Sequence, residues 1–146
     1  MKTSYLALCL PILGLVALTP ESHATTYAGQ ACVSKTAGAA LTYQEAGARN
    51  LTTSPMSISC PAAHVKDGGT AAVDATIYFV NDGKPKSCFL DNFNIDTGSL
   101  AIWTSAAGTT RLVFPRLNPT LAFQPYVFNC SLPAGSSVNG FFVAES

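Results

Sequence analysis

The sequence predicts an all-β protein: a single antiparallel β-sandwich of about seven to eight strands, held together by disulfides. Three observations predict this fold. Apolar residues recur mostly at every second position, as they do on half-buried strands. Turn signals separate these stretches about every 8–12 residues. Four cysteines remain after a predicted secretion signal. A one-sheet meander is less favoured, because several strands carry large apolar groups on both faces.

The amino terminus has the pattern of a secretory signal peptide. Lys2 precedes an apolar run from Leu6 to Leu18, and Ser22-His23-Ala24 offers small residues where a signal peptidase cuts. We therefore assign residues 1–24 to a cleaved signal and residues 25–146 to one domain. The apolar run is too short to span a bilayer, since a spanning helix needs roughly 20 apolar residues. We expect a soluble protein, secreted to the periplasm or the medium.

The strands are predicted in chain order from periodicity and turn residues. Short candidates come first, at residues 30–34, 41–44 and 56–60, with at most a helical turn near residues 37–40. In the stretch 73–80, apolar and polar residues alternate, as on a half-buried strand. Asn81-Asp82-Gly83-Lys84 then predicts a tight hairpin turn, because Asp-Gly tolerates positive φ angles. The later strands are the return strand 87–95 and then 100–104, 111–117, 125–132 and 138–144.

The cysteines predict two structural disulfides. Cys32, Cys60, Cys88 and Cys130 remain after signal cleavage, and sequence alone permits three pairings. Their positions favour Cys32–Cys60, both in the amino-terminal third, and Cys88–Cys130, on two later strands. A metal or redox role is disfavoured, because no Cys-x-x-Cys pair exists and one histidine remains after signal cleavage. No cofactor or metal is expected.

Charge limits the classes of partner. Charged residues make up 11% of the chain, with eight basic and eight acidic side chains. Lys2 and Glu21 both lie in the predicted signal, so the mature balance stays even. Without a basic stripe, nucleic acid and anionic lipid are not expected partners. A polar surface with few charges favours a hydrogen-bonding partner, either a glycan or another protein.

No catalytic constellation is recognised, and we expect the protein not to be an enzyme. No Gly-x-Ser-x-Gly sequence presents a nucleophile, and the remaining histidine is interpreted as a loop residue. A small secreted hydrolase would need two of its candidate groups to meet across a cleft. These candidates are His64, Asp67, Asp74, Asp91 and Asp96. Asp74 and Asp91 are predicted on adjacent strands and are therefore expected to be neighbours.

Trp103 is the lone tryptophan. In a sandwich such a residue most often fills the core beside a disulfide, and this is the favoured interpretation. If Ile102 faces the core instead, Trp103 turns outward. It would then offer a stacking surface for a sugar ring or a hydrophobic partner, together with Tyr78 or Tyr126.

Cysteine-centred motifs carry a resemblance to known proteins. They are Cys60-Pro61, Ser87-Cys88-Phe89-Leu90, the stretch from Tyr126 to Pro133 and the closing stretch from Asn139 to Glu145. The chain resembles small secreted bacterial two-disulfide β proteins of unassigned function over about residues 28–145. The resemblance implies fold and compartment and no activity. A looser likeness is to chaperone-assembled pilus subunits, from which this chain departs in having four cysteines and no penultimate tyrosine.

Three functions follow as hypotheses. The leading one is a non-enzymatic secreted or periplasmic module that binds a cell-surface, glycan or protein partner. The second is a structural subunit that associates with itself through an edge strand. The third and least favoured is the small hydrolase. The oligomeric state is left open.

Overall fold

A computed structural model describes residues 23–45, 47–63, 72–94, 99–117 and 125–146. In this part of the chain two antiparallel sheets form a β-sandwich, so the predicted fold class is confirmed. The predicted signal lies almost wholly outside the described residues and stays a prediction. The described residues begin at His23, two residues before the predicted cleavage site.

Among the described residues, eleven strands make up the two sheets. In chain order they are β1 (His23–Ala28), β2 (Val33–Ser34), β3 (Leu41–Gln44), β4 (Gly47–Asn50), β5 (Met56–Ala62), β6 (Val73–Phe79), β7 (Lys86–Asn94), β8 (Ser99–Gly108), β9 (Arg111–Val113), β10 (Tyr126–Leu132) and β11 (Ser137–Glu145). Sheet A has the order β3-β4-β11-β6-β9, and β1 also pairs with β11. Sheet B has the order β2-β5-β10-β7-β8.

The structure corrects three local expectations. β1 and β4 were not predicted, and both pair with β11 at the centre of sheet A. Residues 36–39 form a hydrogen-bonded turn that is not helical, because Gly38 has a φ of +73°, and a 3-10 turn forms at Gly29–Ala31. The predicted hairpin between β6 and β7 is wrong, because β6 lies in sheet A and β7 in sheet B. Residues 80–85 therefore carry the chain from one sheet to the other.

Aromatic rings join the two sheets in the core. Phe141 of β11 and Phe128 of β10 are fully buried, and their ring centroids lie 5.2 Å apart. Tyr27 of β1 stacks on Phe141 at 4.9 Å, and Phe114 meets Phe128 edge-on at 5.4 Å. Contacts of this kind add to the free energy gained by burying the rings. They also tie β1 into the core.

Both disulfides have the preferred pairing, Cys32–Cys60 and Cys88–Cys130. All four half-cystines are buried. Cys88 and Cys130 face each other directly across β7 and β10, whereas Cys32 precedes the edge strand β2. Both bridges therefore stabilise sheet B, and their burial fixes which side of β7 and β10 faces inward.

A buried lysine closes one end of the sandwich. Lys86 is 2% exposed, and its Nζ donates to Asp82 and to the carbonyl of Thr109 at 2.8 Å. Ser136 donates to the same carboxylate. Partial burial raises the pKa of Asp82, but the hydrogen bonds from Lys86, Ser136 and the Lys84 amide, together with the charge of Lys86, outweigh burial and hold it well below its usual range. These contacts pin the β6–β7 connection to its neighbouring loops.

In the described part of the chain, the structure contains no helix long and apolar enough to cross a membrane.

Candidate ligand-binding face

The three aromatic residues singled out from the sequence do not come together. Trp103 lies on β8 of sheet B and is 54% exposed, so the favoured core interpretation of Trp103 is wrong. Tyr126 is 0% exposed within the core, which removes it from any partner surface. Tyr78 is 41% exposed, but it lies on β6 of sheet A.

Strand pairing explains why Trp103 faces solvent. Trp103 is directly opposite Asp91 on β7, and its neighbour Thr104 is opposite the buried Leu90. Because successive side chains of a strand point to opposite faces, the pair that holds Leu90 faces the core and the next pair faces outward. Asp91 and Trp103 therefore share the outer face of sheet B.

The same alternation brings further residues to this face. Cys88 and Cys130 point inward, so Phe89 and Asn129, which follow and precede them, point outward and lie opposite each other. Lys35 continues β2 beside β5 through a backbone hydrogen bond of 2.8 Å to Ser57. We call the set Lys35, Phe89, Asp91, Trp103 and Asn129 the platform.

Two aromatic rings form the apolar part of the platform. Phe89 is 49% exposed and meets Trp103 edge-on, with centroids 5.6 Å apart and planes at 70°. They occupy diagonal positions on neighbouring strands, where long side chains reach each other. This contact fixes the rings while leaving about half of each in solvent. Two large apolar side chains exposed side by side are a feature of binding surfaces.

A hydrogen-bonded series of polar side chains crosses sheet B beside the rings, from Lys35 after β2 to Asp91 on β7. The Lys35 ammonium donates to Asn129 Oδ1 at 3.3 Å, and Asn129 Nδ2 donates to Asp91 Oδ2 at 2.5 Å. Each group thus orients the next. The amide and the carboxylate are held in place before any ligand arrives, which reduces the entropy lost on binding.

Asp91 titrates differently from a solvated carboxyl group. Burial raises the pKa of Asp91, while the hydrogen bond from Asn129 and the charge of Lys35 act in the opposite direction. Ionised Asp91 accepts hydrogen bonds only. A ligand hydroxyl would supply the matching donor.

A shallow depression of about 400 Å³ adjoins the platform on the side of Lys35 and Phe89. Ser57, Ser131 and Ser87 stand side by side across β5, β10 and β7 and line it. The serines add hydroxyl groups that both donate and accept. The outer face of sheet B thus combines two exposed rings with a row of hydrogen-bonding side chains.

The hydrolase candidates that the structure describes are not neighbours. Asp74 lies on β6 of sheet A, where it is exposed and pairs with Arg116 at 3.9 Å, whereas Asp91 lies on the outer face of sheet B. The expectation that they sit side by side is wrong, because β6 and β7 belong to different sheets separated by the core. His64, Asp67 and Asp96 lie outside the described residues. Among the described residues, no group of three or more His, Cys, Asp or Glu side chains is placed to hold a metal.

Sequence reasoning did not assign Phe89, Asn129 and Lys35 to a site, although a signal for two of them was present. Once Cys88 and Cys130 are taken as an inward-facing bridge, alternation turns Phe89 and Asn129 outward. Lys35 carried no such signal. Its position depends on the pairing of the two-residue strand β2 with β5.

No protein-family model matches this chain, and no curated protein matches it. Several solved structures share a similar arrangement of strands. One is a GH26-CBM35 β-(1,4)-mannanase of Podospora anserina, 13% identical, with a TM-score of 0.44 over 84% of this chain and 28% of that one. Another is the Glycosylation Associate Protein (Gap123) complex of Streptococcus agalactiae, 5% identical, with a TM-score of 0.49 over 86% and 26%. This chain thus spans about a quarter of the length of either.

A third similar structure is TmCBM61 in complex with β-1,4-galactotriose, 9% identical, with a TM-score of 0.44 over 85% of this chain and 88% of that one. Carbohydrate-binding modules are therefore among the similar folds. The TM-scores of these three structures are below 0.5, so the similarity concerns the arrangement of strands alone.

Proposed function

We propose that this chain is a non-enzymatic, secreted or periplasmic module that binds a glycan on the platform. The observation that carries the proposal is the exposed Phe89–Trp103 pair beside the Lys35–Asn129–Asp91 chain. Pyranose rings have apolar C–H faces that stack on aromatic rings, and their hydroxyls bond to carboxylate and amide groups. The platform offers both kinds of contact within one sheet face.

Charge on this face favours a neutral sugar chain. Lys35 and Asp91 are linked through Asn129, so the platform carries one positive and one negative group. An anionic glycan would gain little from a balanced face, since charge complementarity needs an excess of one sign. The proposed ligand is a neutral oligosaccharide that lies across the strands.

A secreted location is supported by the disulfides. Two bridges that lie within the folded domain are typical of oxidising compartments, where the cytosolic thiol systems do not reduce them. The predicted signal peptide agrees with this location. A glycan of the cell envelope or of the surroundings is the ligand class that such a protein meets.

The test is binding of Trp103→Ala to washed cell envelopes and insoluble neutral polysaccharides. We expect at least about a tenfold loss of affinity relative to the wild type, because the stacking surface is removed. The matched control is Tyr78→Ala, which removes an exposed ring from sheet A. Wild-type Trp103 emission should be red-shifted and easily quenched without ligand, and protected with it.

Two outcomes would contradict the proposal. One is equal binding of Trp103→Ala and the wild type. The other is an equal loss in the Tyr78→Ala control. If the wild type binds no glycan, the self-association hypothesis gains weight, with the ten-residue uncharged strand β8 as its candidate edge.

A further inference from the structure

A second cavity, with a mixed polar and apolar lining, lies on the other sheet. It is open, has a volume of about 680 Å³, and is lined by the end of β3, the strand β4, residue Val80 and the start of β11. Its polar lining comes from Gln44, Glu45, Arg49 and Asn139 together with Ser137. Cavities of this size are within the range that small ligands occupy in proteins. It faces away from the platform, because it belongs to sheet A.

Glu45 at the rim of this cavity has an unfavourable backbone conformation. Its φ is +43°, and it is the one non-glycine residue with positive φ among the described residues. Positions with positive φ in tight hairpin turns are normally occupied by Asn, Asp or Gly. A glutamate there costs stability relative to glycine. The Gln30 side chain donates to the Glu45 carbonyl and holds the turn in place.

A β-bulge in β11 sets the orientation of Asn139. The register of β11 against β6 shifts between Val138 and Gly140, so Asn139 is an extra residue in the strand. β-bulges redirect side chains and are common beside functional sites. Asn139 is exposed, and its Oδ1 lies 3.7 Å from the position where a Cβ on Gly47 would be. Gly47 thus leaves open the space beside this amide.

Arg49 completes the polar set. Its Nε donates to the carbonyl of Gly135 at 3.2 Å, which anchors the guanidinium beside the cavity. Glu45 supplies acceptors, Arg49 supplies donors, and Asn139 supplies both. The two charges cancel, so the cavity suits neither a strong anion nor a strong cation. Neutral hydroxyl groups, which both donate and accept, match this mixture.

We infer that this cavity is a second ligand site, for a neutral hydroxyl-rich compound such as the end of a sugar chain. The inference does not depend on the platform, which lies on the opposite face of the sandwich. It gives a role to Glu45 in its strained turn and to the bulge of β11 at the exposed Asn139. With both sites filled, the module would join two separate glycan chains.

The test follows backbone amide signals by NMR while neutral trisaccharides are added. The probes are cellotriose, mannotriose and maltotriose, with trigalacturonate as a charged comparison. We expect saturable shifts of the amides of Glu45, Arg49 and Asn139 at probe concentrations up to about 10 mM, the range of weak single-site binding. Asn139→Ala should weaken these shifts about tenfold, and trigalacturonate should produce smaller ones. The Trp103→Ala variant should keep them unchanged, which separates this site from the platform.

Glu45→Gly separates a ligand role from a structural one. We expect its melting temperature to rise, because glycine adopts positive φ without strain, and its affinity for the probes to fall. Asp74→Asn, an exposed acid elsewhere on sheet A, is the matched control and should change neither quantity. Absence of saturable shifts with every neutral probe would overturn the inference. So would a Glu45→Gly variant that binds as tightly as the wild type.

Discussion

At the scale of single residues, Lys86 is a buried charged side chain whose loss should lower stability. Its ammonium is buried against Asp82 and the carbonyls of Thr109 and Val80, and lies 5.8 Å from the centroid of the Phe79 ring. Replacing it with methionine keeps most of the volume but leaves the carboxylate without its counter-charge. Because the Asp82 side chain is 20% exposed, we expect a loss of about 2–3 kcal/mol rather than the full cost of a broken buried pair.

Urea unfolding of Lys86→Met measures this loss. Lys84→Met is the matched control and should stay within about 0.5 kcal/mol of the wild type, since Lys84 is exposed. The depressed pKa of Asp82 adds a pH signature. The stabilisation that ionised Asp82 contributes is present above the pKa of this group in the unfolded chain, which is about 4. It is lost progressively as the pH falls below that value. The gap between wild type and Lys86→Met should therefore narrow in acid, and a gap independent of pH would contradict the pairing.

Trp103 illustrates what sequence can and cannot decide for a single residue. Ile102 and Trp103 are both large and apolar, so periodicity alone does not tell which one faces the core. The pairing of Trp103 with Asp91 decides it, and that pairing depends on β7 and β8 lying together at a specific register. The β7–β8 register also shifts between Asn92 and Phe93, which no local pattern predicts. The expected exposure of Tyr126 was wrong for the same reason. Tyr126 and Val127 are both apolar, so periodicity alone does not tell which of them is buried.

At the scale of elements, most strands were predictable, but the sheets to which they belong were not. Alternation located β6 and β10 almost to the residue, because half their side chains enter the core. β4 escaped prediction because Gly47-Ala48-Arg49-Asn50 has little strand propensity and is held by pairing with β3 and β11. The β6–β7 loop does turn at Gly83, where φ is +70°. Turn residues show that the chain reverses, but not to which sheet the next strand belongs.

The pairing of β1 with β11 depends on a glycine. A Cβ on Gly140 would lie 2.6 Å from the carbonyl oxygen of Tyr27, which is backbone and cannot rotate away. We therefore expect Gly140→Ala to cost about 1–3 kcal/mol, as overpacking does. The clash falls on β1. Relative to the wild type, hydrogen exchange of the variant should therefore accelerate more at the β1 amides than at the amides of sheet B.

Gly108→Ala is the control for this prediction. A Cβ there would find its nearest neighbour at 3.4 Å, an ordinary contact. Gly108→Ala should be neutral or stabilising by up to about 1 kcal/mol, since alanine loses less backbone entropy on folding than glycine. Equal stability of the two variants would show that β1 tolerates displacement, and that its contact with β11 is looser than the structure indicates.

At the scale of the whole molecule, covalent and non-covalent stabilisation are divided between the sheets. Both disulfides lie in sheet B, which also carries the platform, whereas sheet A is held by pairing around β11 and by the shared aromatic core. Sheet B therefore has extra support under Phe89 and Asn129, since each is next to a half-cystine. This arrangement keeps the proposed binding face rigid.

Removal of one bridge tests this division. The bridges close loops with sequence separations of 28 and 42, and each is expected to contribute about 3–4 kcal/mol by restricting the unfolded chain. For a domain of this size, losing one should lower the melting temperature by about 10–20 °C. The double variant Cys88→Ala/Cys130→Ala should lose more than Cys32→Ala/Cys60→Ala. The Cys88–Cys130 bridge closes the longer loop, and its removal leaves space at the centre of sheet B. Cys32, by contrast, stands beside an edge strand.

Circular dichroism is the suitable measurement, because Trp103 is exposed in the folded protein and its emission changes little on unfolding. With both bridges reduced, the summed loss of about 7 kcal/mol is comparable to the whole stability of an ordinary domain, so the protein should unfold near room temperature. Free thiols at Cys32, Cys60, Cys88 or Cys130 in the purified protein would contradict the two-bridge structure. A small and equal effect of both double variants would show instead that the aromatic core alone holds sheet B against sheet A.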